Sequence, residues 1–110
     1  FRYFPNFIEI IEPYALKDMN EISFDFMKFE NIEFSEDNQH YIKYEKEMIL
    51  CKTNQEKCVF DVVVFVNETL KILKIPNFIK VIEAYSFEEC HNLKEITFES
   101  NSKLEIIHHF

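Results

Sequence analysis

Cysteine and histidine are the residues whose chemistry is easiest to recognise in this sequence. Cys90-His91 places a thiol beside an imidazole, as a nucleophile or a metal ligand would require, and His108-His109 is a second pair. Neighbouring side chains of an extended segment point to opposite faces, so neither pair can hold an ion from one side. The histidine and cysteine spacings match no zinc-binding pattern. We therefore predict no metal site and no cofactor.

Cys51 and Cys58 are candidates for a disulfide. They border the polar stretch 52–57, and the apolar runs on either side predict a β-hairpin with Asn54-Gln55 near its tip. With a two-residue loop, the two cysteines would face each other with Cβ atoms about 4.5–5.5 Å apart, close to disulfide reach. The alternative is two reduced apolar side chains, because the sequence does not fix the pairing register.

Acidic side chains offer further candidates for chemistry. Glu88-Glu89, Glu45 and Glu47 could be acid/base groups, but in a chain with 20 Asp and Glu such groups are usually a solvated face. Asn67-Glu68-Thr69 matches a glycosylation sequon, which agrees with secretion without showing it. We assign no catalytic residue and predict that the chain is not an enzyme.

The composition excludes several classes of partner. The 110 residues include no glycine, so a glycine-rich phosphate-binding loop is impossible. The net charge of −8 argues against binding to nucleic acids or anionic membranes. The longest apolar run, Val62–Val66, is far shorter than the roughly 20 residues needed to cross a bilayer. Membrane attachment would therefore need parts that this sequence does not contain.

Two sequence units recur along the chain. Pro5–Leu16 returns as Pro76–Phe87 with seven of twelve positions identical, and Leu104–Ile107 begins a third copy that the chain end cuts short. The second unit has apolar residues at positions 1, 4 and 6, and its last two copies start 23 residues apart. A period of about 20–29 residues is typical of leucine-rich repeats. The copies of the second unit are Phe29–Phe34, Leu70–Ile75 and Leu93–Phe98.

The spacing of the second unit predicts strands. Side chains two residues apart in a strand share a face, so Ile96 and Phe98 should point inward. We expect the three copies to form one parallel sheet, and a second set of short strands or turns to follow each Ile motif. Phe87 and Ile96 are predicted to be buried, and Ala84–Glu89 to form one helical turn. Residues 35–69 interrupt the repeats with the hairpin, and Val62–Val66 rejoins the stack as a strand.

The combined pattern resembles a known family. Leu93-x-x-Ile96-x-Phe98, preceded by Ile79-x-x-Ile82-x-x-x-Ser86-Phe87-x-x-Cys90, is similar to the BspA-like leucine-rich repeats, and the likeness covers residues 4–34 and 70–110. It implies a mostly β solenoid segment, with residues 1–110 as one repeat region that has a hairpin-like insertion. Cys90 takes the family's cysteine position. Its counterpart in the first copy is Met19, so a packing role is expected.

The family resemblance also implies a function. Such repeats occur in surface proteins of anaerobic bacteria and parasitic protists, so we expect a protein-binding or adhesion module at the cell surface or outside the cell. Its partner would be a host protein, a matrix protein or another copy. A structural spacer is the alternative. The candidate binding residues flank the inward strand positions and should form one exposed strip: Asn31, Glu33, Ser35, Lys74, Glu95, Thr97 and Glu99.

Overall fold

The regular secondary structure of the described residues consists almost entirely of short β-strands. The computed structural model describes residues 8–11, 28–34 and 38–108, and within them a single 3-10 turn, Phe29–Asn31, is the one helical element. The fold class is therefore mostly β, as the sequence predicts. The strands are β1 (Ile8–Ile11), β2 (Ile32–Phe34), β3 (Ile42–Tyr44), β4 (Met48–Cys51), β5 (Val62–Val66), β6 (Ile72–Ile75), β7 (Val81–Ile82), β8 (Glu95–Phe98) and β9 (Ile106–Ile107).

The last two copies of the second unit pair as predicted. β6 and β8 run parallel, with Ile72 opposite Glu95 and Ile75 opposite Phe98. The offset of 23 residues is the sequence period itself. The short strands after the Ile motifs pair in the same way: β7 and β9 are parallel, with Val81 opposite Ile106 and Ile82 opposite Ile107. The predicted second set of short strands is therefore confirmed for these two repeats.

The first copy of the second unit does not join this sheet. β2 pairs in parallel with β1, with a bulge in the register, and β6 and β8 form a separate two-stranded sheet. The prediction of one three-stranded parallel sheet is wrong. Its physical reason is packing: Phe29 and Ile32 are buried in a cluster built largely by the insertion, including Tyr41, Ile49 and Phe65. The first copy therefore packs against different neighbours from the other two copies of the unit.

The insertion supplies three strands of a five-stranded sheet with the order β3-β4-β5-β7-β9. β3, β4 and β5 are antiparallel, and β5 then pairs in parallel with β7, so Val62–Val66 rejoins the repeats as predicted. A tight turn joins β3 to β4, and its residues Glu45 and Lys46 have positive φ angles of 49° and 59°. Left-handed residues in such turns are usually Gly or Asn, and this glycine-free chain uses two charged residues instead.

The hairpin register differs from the one predicted. The partner of β4 is β5 and not 58–60, so Cys51 lies opposite Val62. The intervening loop is anchored by the buried Asp61 carboxylate, which accepts hydrogen bonds from the Thr53 backbone N–H and hydroxyl at 2.8 Å each. The prediction of a two-residue loop that brings Cys51 and Cys58 together is therefore wrong. Both thiols are free, Cys51 buried and Cys58 exposed.

Burial is uneven between the two repeats. Leu73, Ile75, Ile79 and Ile82 are buried in the second core cluster. The corresponding strand residues of the following repeat are largely exposed, and the prediction that Ile96 is buried is wrong, since its exposure is 44%. No further strand covers that side within the described residues. These exposed residues are Ile96, Phe98, Ile106 and Ile107.

The segment after β7 is a series of turns rather than the predicted helical turn. Backbone N–H groups of Ser86, Glu88 and Cys90 each donate to the carbonyl three residues earlier. Tyr85 has a positive φ of 67°, which a regular helical turn does not permit. Phe87 is half-buried against the second core cluster, a weaker burial than the sequence predicts.

Candidate protein-binding surface

The outer face of the β6–β8 pair carries three of the seven predicted binding residues: Lys74, Glu95 and Thr97. The register places Ile72 beside Glu95 and Lys74 beside Thr97, and all four side chains are exposed. The intervening residue Leu73 points to the opposite side and is fully buried. A strand pair with one buried face holds its outer residues at fixed spacing. We call these four residues the outer patch.

Glu99 follows β8 and has a structural contact. Its Oε1 accepts a hydrogen bond from the backbone N–H of Asn77 at 2.9 Å, and the side-chain amide of Asn77 donates to the Ser100 carbonyl at 3.3 Å. These bonds fasten the end of β8 to the turn after β6. Glu99 therefore contributes to holding the two repeats together, in contrast with Glu95 on the open face.

The remaining predicted residues lie in a different sheet. Asn31 and Glu33 belong to the segment around β2, which pairs with β1 and not with β6, and Ser35 lies outside the described residues. The prediction that all seven residues form one continuous strip is therefore wrong. Glu33 also interacts with the cationic side chain of Lys43. Burial lowers the pKa of Lys43, and the negative charge of Glu33 partly offsets this effect. The Lys43 Nζ lies 4.7 Å from the centre of the Phe29 ring.

Cys90 is placed for packing and not for reaction. Its Sγ lies 3.6 Å from the Val66 carbonyl oxygen, in the turn that follows β7. Burial, reinforced by the negative charges of Glu68 and Glu89, raises the pKa of the Cys90 thiol to about 11. The thiol is therefore protonated at neutral pH, whereas a nucleophilic cysteine needs a lowered pKa. This supports the packing role inferred from the repeat.

Ser86 is a structural residue that the sequence argument did not single out. Its buried hydroxyl lies within hydrogen-bond distance of two carbonyls, 3.0 Å from that of Val63 and 2.6 Å from that of Glu83. The bond to Val63 ties the turn after β7 to β5. The sequence does contain a signal for this role. Ser86 is a polar residue at a position where the first copy has the small apolar residue Ala15.

Two of the histidines lie near carboxylates at the surface. His91 Nε2 lies 3.5 Å from a Glu89 oxygen, and His108 Nε2 lies 3.6 Å from a Glu83 oxygen. Among the described residues, no group of three potential metal-binding side chains occurs. That same part of the chain contains no helix with the length and apolar character to span a membrane.

An apolar concavity opens at the end of the repeats. It has a volume of about 550 Å³ and lies between the last strand of the β6–β8 sheet and the last strand of the five-stranded sheet. Two charged residues, Lys94 and Glu95, are part of a lining that is otherwise apolar. The apolar lining consists of Ile82, Phe87, Cys90, Leu93, Ile96, Phe98 and Ile107.

Comparison with known families identifies this region. Residues 59–109 match the family model described as BspA type Leucine rich repeat region (6 copies). Residues 59–109 are therefore similar to a BspA-type leucine-rich-repeat region. The matched stretch includes β5 to β9, so the residues of the outer patch and of the concavity all lie within it. A search of curated proteins and one of solved structures gave no significant match.

Proposed function

We propose that this chain is a protein-binding leucine-rich-repeat module and that the outer patch is its contact surface. The observation that carries the proposal is Ile72, which is 60% exposed on a strand pair whose other face is buried. Interfaces typically combine an apolar centre with a polar surround. Around Ile72, the side chains of Lys74, Glu95 and Thr97 supply that surround.

The repeat architecture supports the same function. Repeat proteins stack their units into solenoids and bind partners on the extended surface that results. We propose that residues 1–110 form one such segment with an insertion, in a protein at the cell surface or outside the cell, where it acts in adhesion. The net charge of −8 favours a partner with a basic surface. A host or matrix protein with exposed lysines and arginines is the expected class.

The test is a binding assay with point variants of the isolated chain. The chain is immobilised and exposed to a panel of extracellular matrix and host-surface proteins. For a binder, Ile72→Ala combined with Glu95→Lys should weaken the affinity by about tenfold or more, because a truncated apolar anchor is joined by a reversed charge. Higher salt should weaken binding to the parent more than binding to the variant.

Two matched variants locate the surface. Glu56→Lys makes the same charge change in the exposed loop, and Glu33→Lys makes it in the β1–β2 sheet; neither should alter the affinity by more than about twofold. Equal losses for Glu33→Lys and Glu95→Lys would mean that the surface extends across both sheets. No binding to any member of the panel would favour the alternative function, a structural spacer.

A further inference from the structure

The turn between β5 and β6 contains the one acceptor motif for an N-linked sugar in this sequence. Of the nine asparagines, Asn67 alone is followed two positions later by serine or threonine, in Asn67-Glu68-Thr69. The middle residue is not proline, as the motif requires. Asn67 directly follows β5 and is partly exposed, and Thr69 is exposed. The motif therefore lies on a surface turn, where a bulky, hydrated sugar can be attached.

Hydrogen bonds give the two polar atoms of the Asn67 amide different roles. The Oδ1 atom accepts hydrogen bonds from the Thr69 backbone N–H at 3.0 Å and from the Thr69 hydroxyl at 2.8 Å. The Nδ2 atom donates to the Lys46 carbonyl at 2.9 Å. A side-chain amide nitrogen carries two hydrogens, and an attached sugar replaces one of them. The turn through Oδ1 and the bond to Lys46 can therefore both persist on a glycosylated side chain.

The rest of this turn is fixed by contacts that do not use the Asn67 amide. The Asn67 backbone N–H donates to the Glu47 carbonyl at 2.8 Å, and the Cys90 Sγ lies 3.9 Å from the Asn67 carbonyl oxygen. Glu68 Oε1 accepts a hydrogen bond from the Phe29 backbone N–H at 3.0 Å. These three contacts come from three different segments of the chain. A sugar on Nδ2 would replace none of the atoms that make them.

We propose that Asn67 is an N-glycosylation site and that the folded chain carries the sugar with this turn intact. The inference rests on the proposed location outside the cell, because the transfer takes place on exported chains. The co-substrate is an oligosaccharide linked to a lipid through a diphosphate. A bond forms between Asn67 Nδ2 and the anomeric carbon of the first sugar, and the bond from that carbon to the diphosphate oxygen breaks. Nδ2 loses one proton, the lipid diphosphate leaves, and no atom is oxidised or reduced.

Expression of the chain behind an added export signal in a eukaryotic host tests the acceptor. The parent should gain the mass of an oligosaccharide, lose it on treatment with a peptide N-glycosidase, and show it by mass spectrometry on the peptide that contains Asn67. Asn67→Gln and Thr69→Val should abolish the added mass, whereas Thr69→Ser keeps the hydroxyl and should retain it. The matched control is Asn77→Gln, which changes a partly exposed asparagine outside the motif and should leave the added mass unchanged.

An engineered acceptor shows that the chain reaches the transferase. In the Asn67→Gln background, Lys103→Thr completes an Asn-Ser-Thr motif at the exposed Asn101 and should restore the added mass. A parent that stays unmodified while this variant carries a sugar overturns the proposal. The transfer depends on the motif and not on a binding partner. An unmodified Asn67 and a failure of the binding panel are therefore separate results.

Thermal melting tests whether the folded chain accommodates the sugar. The glycosylated parent should melt at a temperature no lower than the same chain produced without glycosylation in bacteria, because the turn contacts of Asn67 persist. A clearly lower melting temperature would show that the sugar displaces the bond to Lys46. That result would overturn the claim that the turn stays intact.

Discussion

The repeat from Leu70 to Ile82 and the repeat from Leu93 to Ile107 pair strand for strand and share the apolar spacing within each strand motif, although the second has two more residues between its motifs. They differ in what lies beside them. The first is flanked by the insertion sheet on one side and by the next repeat on the other, and its inward residues are buried. The second has a neighbour on one side alone within the described chain, and Ile96, Phe98 and Ile107 are exposed. Spacing therefore specifies which face turns inward, and the neighbouring unit determines whether that face is buried.

The sharpest test of this comparison uses two isoleucines at equivalent positions. Ile82 and Ile107 lie opposite each other in the β7–β9 pair, and their exposed fractions are 2% and 55%. Ile82→Ala should lower the free energy of unfolding by about 2–5 kcal/mol, because it leaves a cavity in the core. Ile107→Ala should cost less than about 1 kcal/mol. Urea denaturation of both variants measures these two costs. Equal costs would contradict the difference between the repeats.

A smaller effect is expected from the buried hydroxyl of Ser86, in the turn that follows β7. Ser86→Ala removes the hydrogen bond that ties the turn after β7 to β5, and should lower the free energy of unfolding by about 0.5–1.5 kcal/mol. The control is Ser102→Ala, which changes an exposed serine in the repeat from Leu93 to Ile107. We expect this substitution to cost about half as much or less. A larger loss at Ser102 would contradict the conclusion that the repeat from Leu70 to Ile82 is the better buried of the two.

Glu99 and Glu95 allow a carboxylate that contacts the neighbouring repeat to be compared with one that is only exposed. Glu99→Ala removes the acceptor for the Asn77 N–H and should destabilise the chain by about 0.5–1 kcal/mol. Glu95→Ala lies on the exposed face of the same strand and should be neutral within about 0.5 kcal/mol. Thermal melting of both variants decides the point. If Glu95→Ala is the more damaging change, the outer patch is part of the folded core and not a free surface.

A further test concerns the pH dependence of stability at Cys90, between the two repeats. The pKa of Cys90 is raised from 9.0 to about 11, so between these values the folded chain keeps a proton that the unfolded chain releases. Stability should therefore fall as the pH rises through this window. Urea denaturation at several pH values should show a shallower fall for Cys90→Ala than for the parent. Identical slopes for the two chains would show that burial does not raise the pKa of Cys90.

The parts of the fold that follow from local alternation could be predicted from the sequence. The 23-residue offset anticipates the pairing of Ile72 with Glu95, and the Ile motifs anticipate the pairing of Ile82 with Ile107. Four of the seven candidate binding residues lie on or directly after β6 and β8: Lys74, Glu95, Thr97 and Glu99. The placement of these residues on the strands could be predicted because a period of two residues specifies a face whatever its neighbours are.

The remaining features depend on contacts between distant residues. The partner of β4 is selected by the loop that the Asp61 carboxylate fastens to Thr53, and nothing in the apolar pattern encodes that bond. The separation of Glu33 from Glu95 has a similar origin. β2 follows the packing of Ile32 in the insertion cluster and not its sequence likeness to β6. Alternation cannot distinguish between possible strand partners.

The turn at Glu45-Lys46 has a consequence for the order of folding. It joins two strands whose paired residues are at most eight positions apart, from Ile42 to Leu50. Closing such a short loop costs little entropy, and hairpins form within about 1–10 microseconds. β5, β7 and β9 can then be added in chain order, each on the edge left by the strand before. We expect the hairpin to be the nucleus, so variants at Ile49 should slow folding, whereas variants at Ile107 should mainly speed unfolding in stopped-flow experiments.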